Sequence, residues 1–275
     1  MTRYPEIALA GARVLVTGAG RGIGRATAQA FAARGATVAL ADIDRAAVTD
    51  AAAGVGTAHV LDVRSRPSWD ACVAEVGPID ILVNNAGVMP VGGFLDESDA
   101  TGAMTLDVNV WGPIRGMRAV VPGMIDRGRG HVVNVASLAG KIAIPGLAVY
   151  NASKYAAVGL SAAARLEFAD HGVSVSTVLP SAVRTTLTSG IPLGKGLPTV
   201  DPADIADAVV RTVRTRRAET PVPGYLAALD VGLAVAPEPL VRLIRRVVGG
   251  GRALTSVDPT ARADYDERLR RTEGA

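Results

Sequence analysis

The chain has 275 residues, 49% of them hydrophobic and 20% charged, which suits one α/β domain with additions and excludes a disordered chain. A net charge of +3 and an aromatic content of 4% give neither the field nor the stacking surfaces that a nucleic-acid partner needs. The single cysteine, Cys72, excludes an internal disulfide and a cysteine-based metal cluster, while His59, His131 and His171 lack the paired spacing of a zinc site. Cys72 falls in a helical stretch and reads as a buried, inert thiol.

Short β-branched runs alternate with Ala-rich helical stretches through the first two thirds. Strands are predicted at 14–16, 36–40, 58–61, 79–83, 131–135 and 173–178, with helices near 22–34, 44–52, 66–76, 99–126 and 150–170. The strands are almost continuously apolar, so the fold class expected is α/β, a doubly wound and mainly parallel sheet with helices on both faces. Such sheets bind ligands at the carboxyl ends of their strands. Residues 186–200 are punctuated by Gly and Pro and are either a cover over a site or a long surface connection. A helix is predicted from Asp201-Pro202, with Asp as N-cap and Pro in the first turn. Residues 1–235 thus read as a catalytic domain and 236–275 as an amphipathic helical extension ending in a polar tail. The first strand begins too early to leave room for a signal peptide, and no run of 18 apolar residues occurs, so the expected location is cytoplasmic.

Directly after the first strand stands Thr17-Gly18-Ala19-Gly20-Arg21-Gly22-Ile23-Gly24. Its glycines allow a tight turn and let backbone N–H groups approach a pyrophosphate at a helix N-terminus. The spacing is Gly18-x-x-x-Gly22-x-Gly24 rather than G-x-G-x-x-G. Asp42 ends the second strand, where its carboxylate is placed for adenosine ribose hydroxyls and would repel a 2′-phosphate; the alternative is an N-cap for the next helix. NAD is therefore expected rather than NADP, although Arg21 in the loop is a possible phosphate partner. Asp62, with Val63 after the third strand, is placed either for the adenine edge or as a turn residue. A P-loop is excluded, because Gly194-Lys195 is followed by Gly196 and follows no strand.

Tyr150 and Lys154 have i,i+4 spacing and share one helical face. A phenol titrates near 10, too high for a base at neutral pH, and a nearby ammonium favours the phenolate. Lys154 is one of only three lysines, with Lys141 and Lys195. Ser137 ends the fifth strand, either to hold a substrate oxygen or as an ordinary turn residue. Asn109 lies inside a helix that it does not favour, either bonding to the backbone or anchoring a water near Lys154.

These residues, together with Asn84-Asn85-Ala86-Gly87, occur in an order and spacing that resembles the short-chain dehydrogenase/reductase family from about residue 12 to residue 185. The resemblance implies a Rossmann-like fold, with Asn85, Ala86 and Gly87 bordering the cofactor and Val183 and Thr185 meeting its nicotinamide end. It implies that Tyr150 exchanges the proton, Ser137 polarises the substrate oxygen, Lys154 lowers the phenol's pKa and holds the nicotinamide ribose, and Asn109 completes a water relay. This chain departs from many members in having Pro180-Ser181 rather than Pro-Gly, and in continuing well beyond a weak strand candidate at 220–223, which favours a homodimer over a tetramer. The segment 238–248 pairs an apolar face with an arginine face and fits a subunit interface, a cover over the substrate mouth or, less favoured, a peripheral membrane contact. Apolar residues around the expected pocket point to an apolar secondary alcohol or ketone, of steroid, lipid or terpenoid type, as substrate. A catalytically silent dinucleotide-binding regulator and a redox-neutral epimerase of the same fold are the alternatives. Asn151-Ala152-Ser153 also spells a glycosylation sequon, read here as accidental.

Overall fold

The computed structural model describes residues 4–191, 199–227 and 256–273. In chain order the strands are β1 (Arg13–Thr17), β2 (Thr37–Asp42), β3 (Thr57–Val60), β4 (Ile81–Asn84), β5 (Gly130–Val135), β6 (Val173–Pro180), β7 (Ala182–Val183), β8 (Thr199–Val200) and β9 (Glu219–Val222). The helices are α1 (Gly22–Ala32), α2 (Arg45–Ala52), α3 (Arg66–Val76), α4 (Asp99–Leu106), α5 (Gly112–Asp126), α6 (Ala148–Phe168), α7 (Pro202–Thr215) and α8 (Pro259–Glu273). Seven strands form one sheet in the order β3-β2-β1-β4-β5-β6-β9, and every pairing in it is parallel. The weak strand candidate near 220 is its edge strand β9. Among the described residues no helix is long and apolar enough to cross a membrane.

Alternation along each strand feeds two cores. Val14, Val16, Ile81, Val83 and Val133 face one side with Phe31 of α1 and Ile205 and Val209 of α7. Leu15, Leu82 and Val132 face the other with Trp69 of α3 and Met117, Val120 and Met124 of α5. Both faces are thus buried, which is why the strands lack polar alternation. Cys72 lies in the second core, and burial pushes its thiol up to about 12, with Glu75 adding to the rise, so it is unreactive at neutral pH.

The strand order reverses between β1 and β4, opening a crevice at their carboxyl ends. Two elements differ from the sequence expectation. The single helix predicted over 99–126 is broken by a π-helical turn at Asp107–Trp111, which buries Val108 and Asn109. Insertions of this kind recur at functional sites because they re-aim side chains. The polar tail contains α8, which docks Tyr265 and Arg262 into the body of the protein. The amphipathic segment 238–248 lies outside the described residues.

A polar cluster crosses the sheet away from the crevice. The fully buried His131 has Nδ1 2.8 Å from Ser174 Oγ and Nε2 2.9 Å from Thr212 Oγ1, and Arg216 donates to the same serine oxygen at 2.8 Å. Burial, helped by the Arg216 charge, holds this imidazole well below its ordinary value of 6.5. The unfolded chain takes up a proton that the folded chain refuses, so stability is full above pH 6.5 and falls as pH drops below it. The fall has a limiting slope of about 1.4 kcal/mol per pH unit. Urea unfolding at pH 7 and pH 5 should show this loss, and His131→Gln should flatten it; equal slopes in both proteins would contradict the assignment.

Candidate active site

The phosphate loop is built by contacts that exclude side chains. Gly18 has φ +62°, and a Cβ there would stand 2.8 Å from Ala86 Cα; a Cβ on Gly24 would meet the Gly18 carbonyl oxygen at 2.1 Å. Asn85 Nδ2 donates to the carbonyls of Thr17 and Gly18 at 2.9 and 3.1 Å. Thr17 Oγ1 accepts from the amides of Asn85 and Ala86 at 3.0 and 3.1 Å, which makes this buried threonine a rivet between β1 and the loop after β4. Side-chain oxygens cap α2 (Asp44), α3 (Ser65) and α4 (Ser98), whereas α1 has neither a side-chain cap nor an acid in its first turn. Its exposed amides and positive end suit a phosphate.

Asp42 is not the N-cap of α2; Asp44 is, accepting from Ala47 N at 3.0 Å. The Asp42 carboxylate accepts from Gly20 N at 2.9 Å and from Asp44 N at 3.0 Å, so it stands against the phosphate loop at the end of β2. Arg21 is held 2.7 Å from Asp44 and is directed to that carboxylate. Asp62 follows β3. Burial opposes its charge, yet the Arg64 guanidinium, 2.8 Å away, keeps its carboxyl below the ordinary value. Val63 is buried against Gly112, and its carbonyl accepts from the Trp69 indole at 3.1 Å.

On the other side of the crevice, α6 carries Tyr150 and Lys154 on its buried face. Ser137 takes an extended conformation after β5, its hydroxyl accepting from Ala139 N at 3.0 Å and lying close enough to the Tyr150 phenol to favour its ionised form. Lys154 Nζ lies 5.6 Å from the Tyr150 ring centroid and donates to the Val135 carbonyl at 3.3 Å. Burial dominates both groups. It pushes the phenol up to about 12 although Ser137 beside it pulls it down, and it brings the ammonium down to about 8. The sequence reading has the ammonium drawing the phenol down; here burial moves the phenol the other way, and Ser137 rather than Lys154 is the group that opposes the rise. The site therefore presents a protonated phenol at neutral pH, the form that donates to a carbonyl.

Gly87 ties the two halves together. A Cβ on it would lie 3.2 Å from Asn109 Oδ1 and 3.6 Å from Lys154 Nζ. The π-helical turn aims Asn109 at the same loop: Oδ1 accepts from Val88 N and Nδ2 donates to Val88 O, both at 2.9 Å, and Nδ2 also donates to Ser153 Oγ at 3.0 Å. Asn109 thus braces the loop after β4 against α6. Val183 is buried in the strand pair β7–β8, and Thr185 Cγ2 stands 3.4 Å from the position of a Cβ on Gly22. Thr185 and Gly22 line an open cleft of about 560 Å³ with Arg184, Thr186, Thr188 and Ser189. Ser181, at the family departure, donates its amide to the Val222 carbonyl at 2.9 Å, prolonging the β6–β9 ladder.

Three residues of this region escape the sequence reading. Asn151, read only as part of a sequon, is buried; Nδ2 donates to the carbonyls of Ala139 and Ile142 at 2.6 and 2.8 Å, and Oδ1 accepts from Ile144 N at 3.0 Å. Its amide is spent on fastening the loop after Ser137, which leaves no place for a glycan. Loss of these bonds in Asn151→Ala should cost roughly 3 kcal/mol, measurable by denaturant unfolding; a change below about 0.5 kcal/mol would contradict the role. The other two, Arg262 and Tyr265, come from α8. Tyr265 Oη accepts from Met89 N at 2.7 Å, and Arg262 donates to the carbonyls of Met89, Leu187 and Ser189. Met89, Ala139, Leu147 and Tyr150 form one buried apolar cluster under them, flanked by Val91, Ile144, Leu187 and Ile191.

A parallel sheet with this glycine loop, and a Ser–Tyr–Lys group facing it across the crevice, define a nucleotide-dependent oxidoreductase of the Rossmann-like type. The sequence profile of the short chain dehydrogenase family matches residues 12–195, and the chain belongs to that family. It is 36% identical over 257 residues to the oxidoreductase UcpA of Salmonella typhimurium, covering 90% of this chain and 96% of that protein. It is 34% identical over 252 residues to rat (Rattus norvegicus) 17-beta-hydroxysteroid dehydrogenase 13, covering 87% of this chain and 84% of that one. Among solved structures, a short chain dehydrogenase from Burkholderia cenocepacia in complex with NADP superposes with a TM-score of 0.78 at 27% identity, over 86% of this chain and 99% of that one. The 3-ketoacyl-(acyl-carrier-protein) reductase of Brucella melitensis, complexed with NADH, superposes with a TM-score of 0.71 at 29% identity, over 78% of this chain and 98% of that one.

Proposed function

We propose that this protein is an NAD-dependent dehydrogenase/reductase that interconverts an uncharged, apolar secondary alcohol and its ketone. The observation that carries the reading is the buried Tyr150 phenol, with Ser137 and Lys154 beside it, within the apolar cluster of Met89, Ala139 and Leu147. A nicotinamide dinucleotide fits the residues present. The uncapped start of α1 would take the pyrophosphate, Asp42 the adenosine ribose, and Asp62 with Val63 the adenine, while Asn85, Ala86, Gly87, Val183 and Thr185 border the path to the nicotinamide. Lys154, beside Gly87, would hold the second ribose. When bound, the dinucleotide supplies or accepts the hydride.

The chain's own residues manage the proton and the substrate oxygen. In reduction Tyr150 gives its proton to the carbonyl oxygen, which Ser137 holds and polarises, as hydride arrives at the carbon. In oxidation the phenolate takes the alcohol proton as hydride leaves. Lys154 recharges the tyrosine, and Asn109, which braces the loop beside Lys154, would help hand the proton on through water. Desolvation strengthens each of these interactions. Two features support NAD over NADP: Asp42 at the ribose position, and the engagement of Arg21 by Asp44. An uncharged substrate is supported by Arg262, a cation next to the pocket, whose guanidinium is already directed at three carbonyls and Asp266. A panel of uncharged ketones and secondary alcohols, set against sugars and hydroxy acids and followed by reduced-nicotinamide absorbance, tests the reading. Turnover confined to the charged or sugar compounds would refute the substrate class.

A further inference from the structure

We propose that α8 is the outer wall of the substrate pocket, and that Arg262 and Tyr265 determine how large a molecule the pocket admits. The inference rests on the dehydrogenase reading above and adds a specificity element from a segment whose composition is that of a solvated tail.

Arg262 is only 2% exposed. Its Nη2 donates to Met89 O at 2.5 Å, in the loop after β4, and its Nη1 donates at 3.2 Å to Leu187 O and Ser189 O, in the loop after β7. One guanidinium thus joins two loops, each of which packs a residue (Met89 and Leu187) in the apolar cluster with Tyr150. Asp266 balances its charge at 3.1 Å. Tyr265 lies under the same guanidinium, 4.6 Å from ring centroid to Cζ, and its hydroxyl takes the Met89 amide. Met89 is therefore held by both its N–H and its C=O, and its side chain packs in the apolar cluster with Tyr150.

The wall is fixed at both ends. At its start Asp258 N donates to Gly190 O at 2.8 Å, and a Cβ on Gly190 would strike the Asp258 carbonyl oxygen at 2.4 Å. At its end Arg64 Nη1 donates to Thr272 O at 2.7 Å, and Glu273 accepts from Thr101 Oγ1 at 3.0 Å. A helix tied along its whole length cannot yield to a bulky substrate as a loop does. With α8 seated, Tyr150 is 8% exposed. Met89 and Leu187, two of the three residues whose carbonyls Arg262 holds, pack in the apolar cluster with Tyr150. Arg262 and Tyr265 are positioning residues, since they act on substrate through these loops.

The test compares a compact ketone (cyclohexanone) with a fused bicyclic one (a decalone) in wild type, Arg262→Ala and Tyr265→Phe. Amide hydrogen exchange of Met89 and of 187–191 is followed in the same proteins. Releasing the loops should raise the ratio of kcat/KM for the bicyclic over the compact ketone about tenfold in Arg262→Ala, with faster exchange at those amides. Tyr265→Phe removes one hydrogen bond and should raise the ratio about threefold, which keeps the proposal testable if Arg262→Ala fails to fold. A ratio within about twofold of wild type in both variants overturns the proposal whatever the exchange shows, because a merely structural role lowers both rates alike. If wild type reduces neither ketone, the dehydrogenase reading is what fails. Unchanged exchange at Met89 in Tyr265→Phe would then overturn the wall as well, and faster exchange would support it.

Discussion

Tyr150→Phe is expected to lower kcat about a thousandfold while leaving dinucleotide affinity within about twofold of wild type. The substitution deletes one oxygen and keeps the ring, so packing against Met89, Ala139 and Leu147 survives. What disappears is the hydroxyl proton that moves to or from the substrate oxygen. The pH dependence should be directional. Burial holds the phenol near 12 and therefore protonated at neutral pH, so ketone reduction should proceed there without a prior ionisation. Alcohol oxidation needs the phenolate, and its kcat/KM should climb with pH above 7. Kinetics in both directions, with dinucleotide binding by fluorescence titration, check the effect. A Phe variant that kept more than about a tenth of the wild-type rate would remove Tyr150 from the chemistry.

Asp42→Asn should shift the preference between NAD and NADP by about a hundredfold toward NADP in kcat/KM. The variant keeps one oxygen to accept from Gly20 N or Asp44 N, and loses the charge together with the other of these two hydrogen bonds. A carboxylate about 4 Å from a phosphate at an effective dielectric near 20 repels it by about 4 kcal/mol per unit charge, an upper bound that solvent at the ribose reduces toward the 2.7 kcal/mol of a hundredfold change. Steady-state kinetics with both dinucleotides decide it, and an unchanged ratio would place the discrimination elsewhere.

The fold was legible because its cause is local. Strands buried on both faces must be apolar throughout, and Val14-Leu15-Val16 or His131-Val132-Val133 can hardly be anything else in a chain of alternating helices. The glycine loop after β1 and the Tyr150–Lys154 pair were legible as local geometry because one turn fixes the first and one helical repeat the second. The braces were not. Asn109 and Asn151 act through carbonyls and amides of distant loops, and no side-chain pattern encodes a backbone partner. The break at Asp107–Trp111 hides inside a stretch whose periodicity a helix satisfies. For α8 a signal did exist. Asp258-Pro259 repeats the Asp201-Pro202 start, and Arg262, Tyr265 and Leu269 recur at helical spacing on one face. High charge masked that stripe, since a buried arginine reads as a surface residue until its carbonyl partners are known. The expected Lys154 effect on Tyr150 also shows what sequence omits: spacing gives proximity, whereas the direction of a pKa shift depends on how deeply both groups are buried.

The central claim is net hydride transfer between substrate and dinucleotide, gated by Tyr150. Its most direct measurement is the stoichiometry of carbonyl product against reduced dinucleotide, with wild type and Tyr150→Phe supplied with NAD and an apolar secondary alcohol. One reduced dinucleotide per carbonyl formed, lost in the Phe variant, is the predicted result. Dinucleotide binding with no product, or altered substrate with no net reduced dinucleotide, would contradict it, the first pointing to a regulator and the second to an epimerase.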